Sequence, residues 1–436
     1  MTTTPPKTSS SAGAPGRGAL LSLDEAIERL LSTVQPLPPA SHERVSTFEA
    51  LGRILAEDVR SLLDVPPADN TSMDGYAMRA ADVPAEGTRL PVSQRVPAGV
   101  VGQPLQPGTA ARVFTGAQIP LGADAVVMQE QCSAEASEGG EGLGAVRINT
   151  VPESGQWIRR RGEDVQHGSV VLHAGTRLTP AALGLAASVG AANLQVARRP
   201  RVALFSTGDE LVMPGEPLKP GAIYNSNRYT LCALLQSLGC EVTDLGIVPD
   251  RLDATRAALR DAAHGHDLIL TSGGVSVGEE DHIKPAVMAE GRLDTWQMAI
   301  KPGKPLAFGS VRRSGEDAGD SAAGHSGAWF MGLPGNPVSS FVTFLLLVRP
   351  VLLRLQGATD TAPRTYTLRA DFDWPRADKR REFLRVRLNA AGGLDLFPNQ
   401  SSGVLTSAVW ADGLLDNPGG QTIRAGDAVR FIPIAA

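Results

Sequence analysis

From residue 200 onward the chain alternates between apolar, strand-like runs and helix-like segments, and this order constrains the fold more than any other feature. The runs at 201–206, 241–248 and 267–271 are separated by segments with helical spacing near 228–238 and 251–263. Strands that alternate with helices in this way are typical of βαβ units. The sequence therefore predicts a mostly parallel sheet with helices on both faces.

The remainder of the chain has other patterns, and 436 residues exceed what one hydrophobic core supports, so several domains are expected. We predict an α/β multidomain protein with a tail at 1–20, an N-terminal linking domain at 21–45 and 155–199, an inserted β-rich domain at 46–154, a central three-layer α/β domain at 200–358 and a C-terminal β domain at 359–436. Smaller predicted features are a helix at 23–34 with a Ser22/Glu25 capping box, a flexible loop at 134–144, strands at 293–299, 305–309 and 328–332, a hairpin insertion at 314–327 and a helix from 337 to about 355.

Composition excludes several classes of function. The formal net charge of −5 gives no general attraction for nucleic acid or an anionic membrane surface. The longest apolar run, 341–348, is far too short to span a bilayer. Cys132, Cys232 and Cys240 form neither a CxxC pair nor a disulfide framework, which argues against a structural zinc and indicates a cytoplasmic protein.

Carboxylates follow three of the predicted strands, at the point where each strand ends. Asp209 and Glu210 come after the first strand, Asp250 after the second, and Asp281 after the third, within the glycine-rich loop 272–284. In an open parallel sheet these strand ends share one ligand-binding crevice. Because carboxylates repel phosphate unless a cation lies between them, the pattern indicates a Mg²⁺-bridged anion site. The alternative is a solvated acidic turn that caps a helix beginning near Asp281.

Two lysines supply the positive charge that an anionic ligand requires. Lys301 and Lys304 lie in the run IKPGKP, in which two prolines stiffen a loop directly after a strand. We expect both ammonium groups to contact phosphate or another oxyanion, although surface lysines are often merely solvated. In GLPGNP, Asn336 and Pro337 are placed as the N-cap and first residue of the last helix, whose free N–H groups would also favour an anion.

One motif favours a different chemistry. Gly274-Val-Ser276-Val-Gly278 matches the G-x-S-x-G nucleophile elbow of α/β-hydrolases. Ser276 lies several residues beyond its strand, however, and the only histidines that follow are His282 and His325. A serine hydrolase is therefore a remote alternative, because no triad can be assembled.

Two polar segments precede the α/β region. Residues 69–77 crowd acids, an amide and hydroxyls between β-like runs, a density that indicates a second binding face. Residues 159–164, RRRGED, are either a solvated run of charge or a surface that meets phosphate across a subunit boundary.

In their order along the chain, these segments resemble the molybdopterin molybdenumtransferase family, which includes the bacterial MoeA proteins and the E domain of gephyrin. The resemblance covers nearly the whole chain. It rests on DNTSMDGYAMR at 69–79, RVFTGAQIPLGADAVVMQE at 112–130, RRRGED at 159–164, LFSTGDEL at 204–211, YNSN at 224–227, SGGVSVGEEDHIK at 272–284, IKPGKP at 300–305 and GLPGNP at 332–337.

The resemblance implies a homodimer that takes adenylylated molybdopterin and molybdate, releases AMP in a Mg²⁺-dependent step, and leaves molybdenum on the dithiolene of the substrate. It also implies contacts with the molybdopterin adenylyltransferase and with apo-molybdoenzymes. Two alternatives stay open. An adenylyltransferase would share only the α/β segment, and a scaffold, as in the receptor clustering of gephyrin, would bind partners without turnover.

The same resemblance implies roles for individual residues. The catalytic set is Asp74, Thr115, Glu210, Asp250 and Asp281, with Asp74 and Thr115 supplied by the partner subunit. The substrate-binding set is Ser206, Thr207, Gly208, Asn225, Ser272, Gly273, Gly274, Ser276, Lys301, Lys304, Pro334, Gly335, Asn336 and Arg161, the last together with Asp164. The Mg²⁺ ligands are Asp209, Glu210, Asp250 and Asp281, and Arg385 and Ser402 are functional polar residues of the last domain.

Overall fold

The computed structural model describes residues 20–137, 142–274, 282–313 and 327–434. The chain divides into two compact units. The N-terminal unit contains residues 44–51 and 55–196, and the C-terminal unit contains residues up to 43, residues 52–54 and those from 197 onward. The predicted tail, up to residue 19, and the predicted hairpin insertion, up to residue 326, lie outside the described residues.

The first helix, α1, spans Leu23–Thr33 and belongs to the C-terminal unit. The predicted capping box is confirmed, since Ser22 Oγ accepts a hydrogen bond from the Glu25 N–H (3.2 Å) and Glu25 Oε2 accepts one from the Ser22 N–H (3.0 Å). Leu23 and Leu30 are buried on the inner face of the helix. The local sequence therefore determines where helix α1 begins, and the burial of its apolar face determines the orientation of the helix.

The N-terminal unit is rich in short strands. Its main sheet has the order β7-β4-β6-β5-β9-β8, and other strands pair as β1-β12, β2-β11 and β3-β10. Its elements are β1 His42–Ser46, β2 Val59–Arg60, β3 Asn70–Thr71, β4 Gly75–Met78, β5 Thr88–Val96, β6 Ala110–Val113, β7 Ala125–Met128, β8 Cys132–Glu135, β9 Ala145–Ile148, β10 Ile158–Arg159, β11 Val170–Leu172, α2 Pro180–Ser188 and β12 Asn193–Ala197.

The predicted loop at 134–144 is shorter than expected. Ala134 and Glu135 are the last residues of β8 and pair with Val146 and Ala145 of β9. The strand pairing continues through Glu135, whose carboxylate also forms ion pairs with Arg89 of β5 (2.6 Å) and Arg147 of β9 (3.0 Å), and these add to the backbone ladder at the end of β8.

The C-terminal unit contains the α/β region and a second β region. Its elements are β13 Arg201–Thr207, β14 Leu211–Val212, β15 Ile223–Tyr224, α3 Ser226–Ser237, β16 Glu241–Val248, α4 Leu252–Gly265, β17 Leu268–Ser272, α5 Ile283–Glu290, β18 Gly291–Gln297, β19 Ile300–Lys301, β20 Pro305–Arg312, β21 Gly327–Leu333, α6 Pro337–Thr343, a π-helical turn Phe344–Val348, α7 Arg349–Leu355, β22 Tyr366–Ala370, β23 Arg381–Leu388, β24 Gly393–Leu396, α8 Thr406–Trp410, β25 Gly413–Asn417 and β26 Ala428–Pro433.

The main sheet of this unit has the order β16-β13-β17-β21-β20-β18. The first four strands are parallel, as the alternation predicts, whereas β20 runs antiparallel to both of its neighbours, so the sheet is mixed. Successive side chains enter different cores. Leu204 and Leu270 pack with α1, α3 and the last helix, while Phe205 and Ile269 pack with α4 and α5.

The segment Pro337–Leu355 is long and apolar enough to cross a membrane by length and composition. Most of its apolar stretch, 83%, is buried inside the protein. Val338, Leu347 and Leu352 lie in the same core as the sheet. The segment is therefore a core helix of this unit, and its apolar character comes from burial against the sheet.

The C-terminal β region forms a sheet with the order β19-β23-β24-β22-β26-β25, and an additional β23–β25 pairing gives it a barrel-like form. Strand β19 comes from the α/β region and runs parallel to β23, with Ile300 opposite Arg381 and Lys301 opposite Glu382. The IKPGKP segment is thus held between the two regions of the C-terminal unit.

Candidate functional site

A cleft of about 1070 Å³ lies in the C-terminal unit, at the carboxyl ends of the parallel strands. One wall consists of the loops that follow β13, β16, β17 and β21, and the other includes the IKPGKP loop and residues 400–403 of the C-terminal β region. A crevice at this edge of an α/β sheet is where such folds bind ligands. Its position agrees with the crevice that the strand-end polar residues predict.

The loop after β13 brings a carboxylate to the cleft. Gly208 has φ +143°, and a Cβ there would lie 2.6 Å from Glu210 Oε2, so the Glu210 carboxylate rests against the glycine. Thr207 is buried, and its hydroxyl has no hydrogen-bond partner among the described residues. Glu210 lines the cleft, whereas Asp209 is exposed and is not among the lining residues.

Asn225 caps helix α3 at the floor of the cleft. Its Oδ1 accepts a hydrogen bond from the Arg228 N–H (3.2 Å), and buried Ser206 lies behind it, 3.5 Å from Oγ to the same Oδ1. The side chain is 2% exposed, and its Nδ2 has no partner within the described part of the chain. A buried donor without a partner is costly, so Asn225 and Thr207 together indicate a place where a ligand supplies the missing contacts.

Asn227 is a cleft residue that the sequence predictions did not include. Its Nδ2 donates to Ser272 Oγ (2.7 Å) and to the Gly335 carbonyl (2.8 Å), and thereby links the loops that follow β17 and β21. Its place in YNSN could have identified it from the sequence, because Asn227 lies two residues beyond Asn225, on the same first turn of α3. A second asparagine at a helix start is free to cap other elements.

Gly273 and Gly274 have φ values of +93° and +64°, as the glycine-rich run predicts. A Cβ on Gly273 would lie 2.9 Å from the Thr207 carbonyl oxygen, and one on Gly274 would lie 2.6 Å from Ile283 Cγ1. Both positions therefore exclude a side chain on conformational and steric grounds. Ser276 and Asp281, which follow in this loop, lie outside the described residues.

The two predicted lysines differ in their surroundings. Lys301 Nζ lies 3.1 Å from Glu382 Oε1 and 3.4 Å from Asp378 Oδ2, so two carboxylates already compensate its charge. Both lysines line the cleft, but Lys304 is exposed and has no ion pair within the described ranges. Between them Gly303, at φ +102°, approaches Thr343 so closely that a Cβ would lie 2.6 Å from its Oγ1.

The loop after β21 ends at the last helix. Pro334, Gly335 and Asn336 line the cleft, and Asn336 is the N-cap with Pro337 at the first helical position, as predicted. The Asn336 side chain makes no capping hydrogen bond. Its amide is exposed and available to a ligand.

The C-terminal β region contributes residues 400–403 to the cleft, including the predicted Ser402. Arg385 lies beneath them. It is 1% exposed and donates from Nε to Ser407 Oγ (3.1 Å), from Nη1 to the Phe383 carbonyl (3.0 Å) and from Nη2 to the Ser401 carbonyl (3.4 Å). Burial lowers the pKa of Arg385 to about 10, so the guanidinium remains charged at neutral pH.

Asp250 follows β16 and lines the same cleft as Glu210. Within the described residues no three His, Cys, Asp or Glu side chains form a group that could hold a metal ion. Of the four predicted metal ligands, Glu210 and Asp250 line the cleft, Asp209 does not, and Asp281 lies outside the described residues.

Asp74 and Thr115 lie in the N-terminal unit and contact each other. Asp74 Oδ1 accepts hydrogen bonds from both the Thr115 hydroxyl and the Thr115 N–H, each at 2.7 Å. These two hydrogen bonds hold the pKa of the Asp74 carboxyl below its usual range, with a smaller contribution from the Arg112 charge. The two predicted catalytic residues thus form a pair, although they are 41 residues apart in sequence.

Arg161 also belongs to the N-terminal unit, and its side chain is paired. Its Nε donates to Asp64 Oδ2 (2.6 Å), while its N–H and the neighbouring Arg160 bind Asp69. Hydrogen bonds from the His167 N–H and from Arg161 lower the pKa of Asp64. In the RRRGED segment Arg160 and Arg161 are therefore paired within the chain, and the Asp164 N–H donates a backbone hydrogen bond to the Val65 carbonyl.

The three cysteines are free thiols. Burial raises the pKa of Cys132 to about 11 and that of Cys240 to about 12, and it also raises the pKa of Cys232. None is a thiolate at neutral pH, so none has the character of a nucleophile or metal ligand.

Family comparisons match three consecutive regions of the chain. Residues 21–190 match the MoeA N-terminal region (domains I and II), residues 203–354 match a probable molybdopterin binding domain, and residues 367–434 match the MoeA C-terminal region (domain IV). Together these regions cover most of the chain in a single order.

Curated relatives and a solved structure agree. The chain is 44% identical to the molybdopterin molybdenumtransferase of Haemophilus influenzae over 78% of each chain, and 37% identical to that of Nostoc sp. over 87% of this chain and 86% of the relative. A molybdopterin biosynthesis moeA protein from Pyrococcus horikoshii is 30% identical, with a TM-score of 0.78 over 95% of this chain and all of that one. The resemblance seen in the sequence is therefore confirmed, and the chain belongs to the molybdopterin molybdenumtransferase family of transferases.

Proposed function

We propose that this protein inserts molybdenum from molybdate into adenylylated molybdopterin, releases AMP in a Mg²⁺-dependent step and so forms the molybdenum cofactor. Family membership supports a role in molybdenum cofactor biosynthesis. The particular reaction rests on the chemistry of the cleft in the C-terminal unit.

The observation that carries the proposal is the mixture of groups in that cleft. Carboxylates from Glu210 and Asp250, the ammonium of Lys304, and buried polar groups of Thr207 and Asn225 that have no partner in the described part of the chain belong to one crevice. An adenylylated pterin carries phosphates, polar ring edges and hydroxyls, and each finds a complementary group there. A volume of about 1070 Å³ is large enough for a dinucleotide-sized ligand.

The donors of the cleft fit Mg²⁺, which prefers hard oxygen ligands and is bound through one or two carboxylates together with substrate phosphates. Glu210 and Asp250 would hold the ion, with Asp209 and Asp281 as the further ligands that the sequence predicts. When bound, the ion would neutralise phosphate charge as the link to AMP breaks. The residues of the chain would orient the ligand, and Lys304 would attract the oxyanion.

The last part of the proposal is that two copies of the chain form a homodimer. As a homodimer, the protein would receive Asp74 and Thr115 from the partner subunit, and the Asp74 carboxylate, held ionised by Thr115, would accept a proton or position a water. The product would pass to apo-molybdoenzymes, and the substrate would come from the molybdopterin adenylyltransferase, in the cytoplasm.

The direct test is AMP release from adenylylated molybdopterin by the purified protein, with and without molybdate and Mg²⁺. We expect release to require Mg²⁺ and to be stimulated by molybdate. No release, beside an active relative in the same assay, would refute the proposal. Consumption of ATP with free molybdopterin would favour an adenylyltransferase instead, and binding of a receptor peptide without turnover would favour a scaffold.

A further inference from the structure

Arg112 lies on the strand that leads to Thr115, opposite the strand that follows Asp74. It is on β6, three residues before Thr115, and it pairs in register with Tyr76 of β4, two residues after Asp74. Strand β4 lies between β6 and β7 in the sheet. A side chain at this position can therefore reach the backbone on which both members of the pair are carried.

The Arg112 guanidinium donates hydrogen bonds in two directions. Nη1 binds the Gly75 carbonyl at 3.0 Å, and Nη2 binds Gln129 Oε1 at 2.6 Å. Gln129 in turn donates its N–H to the Asp74 carbonyl at 3.0 Å. The backbone is thus held at Gly75 directly and at Asp74 through Gln129, and the planar guanidinium of Arg112 binds both Gly75 and Gln129.

Aromatic packing holds the guanidinium itself. Its central carbon lies 4.8 Å from the ring centroid of Phe114 and 5.1 Å from that of Tyr76. In the described part of the chain, the hydrogen-bond acceptors of the Arg112 guanidinium are a backbone carbonyl and a side-chain amide oxygen, both neutral. The charge is stabilised by the rings and by neutral acceptors, an arrangement that keeps the donor fork in one orientation.

We propose that Arg112 is a positioning residue, which holds the Asp74 backbone so that its carboxylate accepts both hydrogen bonds of Thr115. This inference rests on the proposed function, since it assigns Arg112 an effect on turnover only through Asp74. Arg112 itself touches neither substrate nor reacting atoms in the proposal. Lysine cannot replace it fully, because an ammonium group lacks the planar fork.

The test is a double-mutant cycle of Arg112→Gln with Asp74→Asn, measured as the turnover number for AMP release. We expect Arg112→Gln to lower kcat about 10-fold with little change in KM, and to have less than about a 2-fold effect once Asp74 is replaced, because residues that act as a unit are not additive. Arg112→Lys should recover only part of the loss. Arg95→Gln is the matched control, since Arg95 lies 4.4 Å from the same Phe114 ring but has no hydrogen bond to the Asp74 backbone within the described residues, and it should retain wild-type turnover.

A readout that is independent of catalysis is hydrogen exchange of the Thr115 amide, which donates to Asp74 Oδ1. Arg112→Gln should accelerate this exchange several-fold, and Arg95→Gln should not. Equal losses from Arg112→Gln in both backgrounds, or unchanged exchange at Thr115, would overturn the role of Arg112 even if the enzyme is active. Wild-type turnover in the Asp74→Asn variant would overturn both the role of Asp74 and that of Arg112, whereas an inactive wild type with altered exchange would refute only the proposed function.

Discussion

The strand-end loops of the C-terminal unit and the RRRGED segment of the N-terminal unit have similar polar sequences but opposite environments. Around the cleft, Thr207, Asn225 and Lys304 have polar groups without partners among the described residues. In the RRRGED segment, Arg160 and Arg161 are paired with Asp69 and Asp64. The cleft therefore has polar groups that a ligand could pair with, whereas the arginines of the RRRGED segment are already paired with carboxylates of the chain.

This difference shows that charge density alone does not identify a site. A buried donor or acceptor without a partner costs free energy in the folded protein, and it is retained where binding restores the missing contact. A paired charge contributes to local structure instead. The comparison therefore predicts that substitutions in the cleft affect activity, and that substitutions in the RRRGED segment affect stability.

The largest effect is expected at the cleft carboxylates. Glu210→Gln or Asp250→Asn should lower AMP release by about 100-fold or more, because each removes a charge that the proposed chemistry uses. Thermal unfolding should change little, since strand-end side chains contribute little to the core. Glu216→Gln, an exposed carboxylate outside the cleft lining, is the matched control and should behave as wild type. Full activity in either cleft variant would contradict the comparison.

A second prediction separates the two lysines. Lys304→Met should raise the KM for molybdate about 10-fold, a loss of about 1.4 kcal/mol in binding, and should leave stability unchanged because the ammonium group has no ion pair among the described residues. Steady-state kinetics and thermal unfolding measure the two effects. If Lys304→Met destabilised the fold without a change in KM, the ammonium would be structural.

Lys301→Met should show the reverse pattern. Glu382, whose side chain is 2% exposed, would lose its cation, and its partner among the described residues would then be the Trp374 Nε1–H, 2.8 Å from its Oε2. Leaving a buried charge partly unsatisfied should lower the free energy of unfolding by about 1–3 kcal/mol. Chemical denaturation measures this directly. Adding Glu382→Gln in the same chain should restore part of the loss, whereas an additive loss would contradict the pairing.

The smallest effect is a pH-dependent change in stability, expected at Asp64, the ion-pair partner of Arg161 in the RRRGED segment. The pKa of Asp64 is lowered in the folded state, so its contribution to stability is present above its unfolded pKa, near 4, and is lost as the pH falls through the lower, folded pKa. Asp64→Asn should therefore reduce stability at pH 7 and flatten its decline below about pH 4. Unfolding measured from pH 7 to pH 2 tests this, and AMP release at pH 7 should be unaffected.

Much of the cleft could be predicted because its parts are local in sequence. Alternating strands and helices determine that Thr207, Asp250 and Ser272 reach the same sheet edge, since parallel strands end together. Positive φ at Gly273 and Gly274 follows from the residue type itself. These inferences needed no knowledge of distant contacts.

The ion pairs could not be predicted in the same way. Arg161 meets a carboxylate 97 residues away, and Lys301 meets one 81 residues away. Which of many acids such a cation meets depends on tertiary packing, and no local pattern encodes it. The contacts of Asn227 with Ser272 and Gly335, and those of Arg112 with Gly75 and Gln129, were missed for the same reason.

The buried guanidinium of Arg385 has a consequence for the ionic-strength dependence of the protein. Mobile ions screen exposed charges over about 8 Å at physiological salt, but they cannot enter the interior around a side chain that is 1% exposed. Salt should therefore weaken the attraction between an anion and the exposed Lys304 ammonium more than the attraction between the same anion and the buried Arg385 charge beneath residues 400–403. Part of the affinity of the cleft for anions should persist in concentrated salt, where a site made only of surface lysines would lose its ligand.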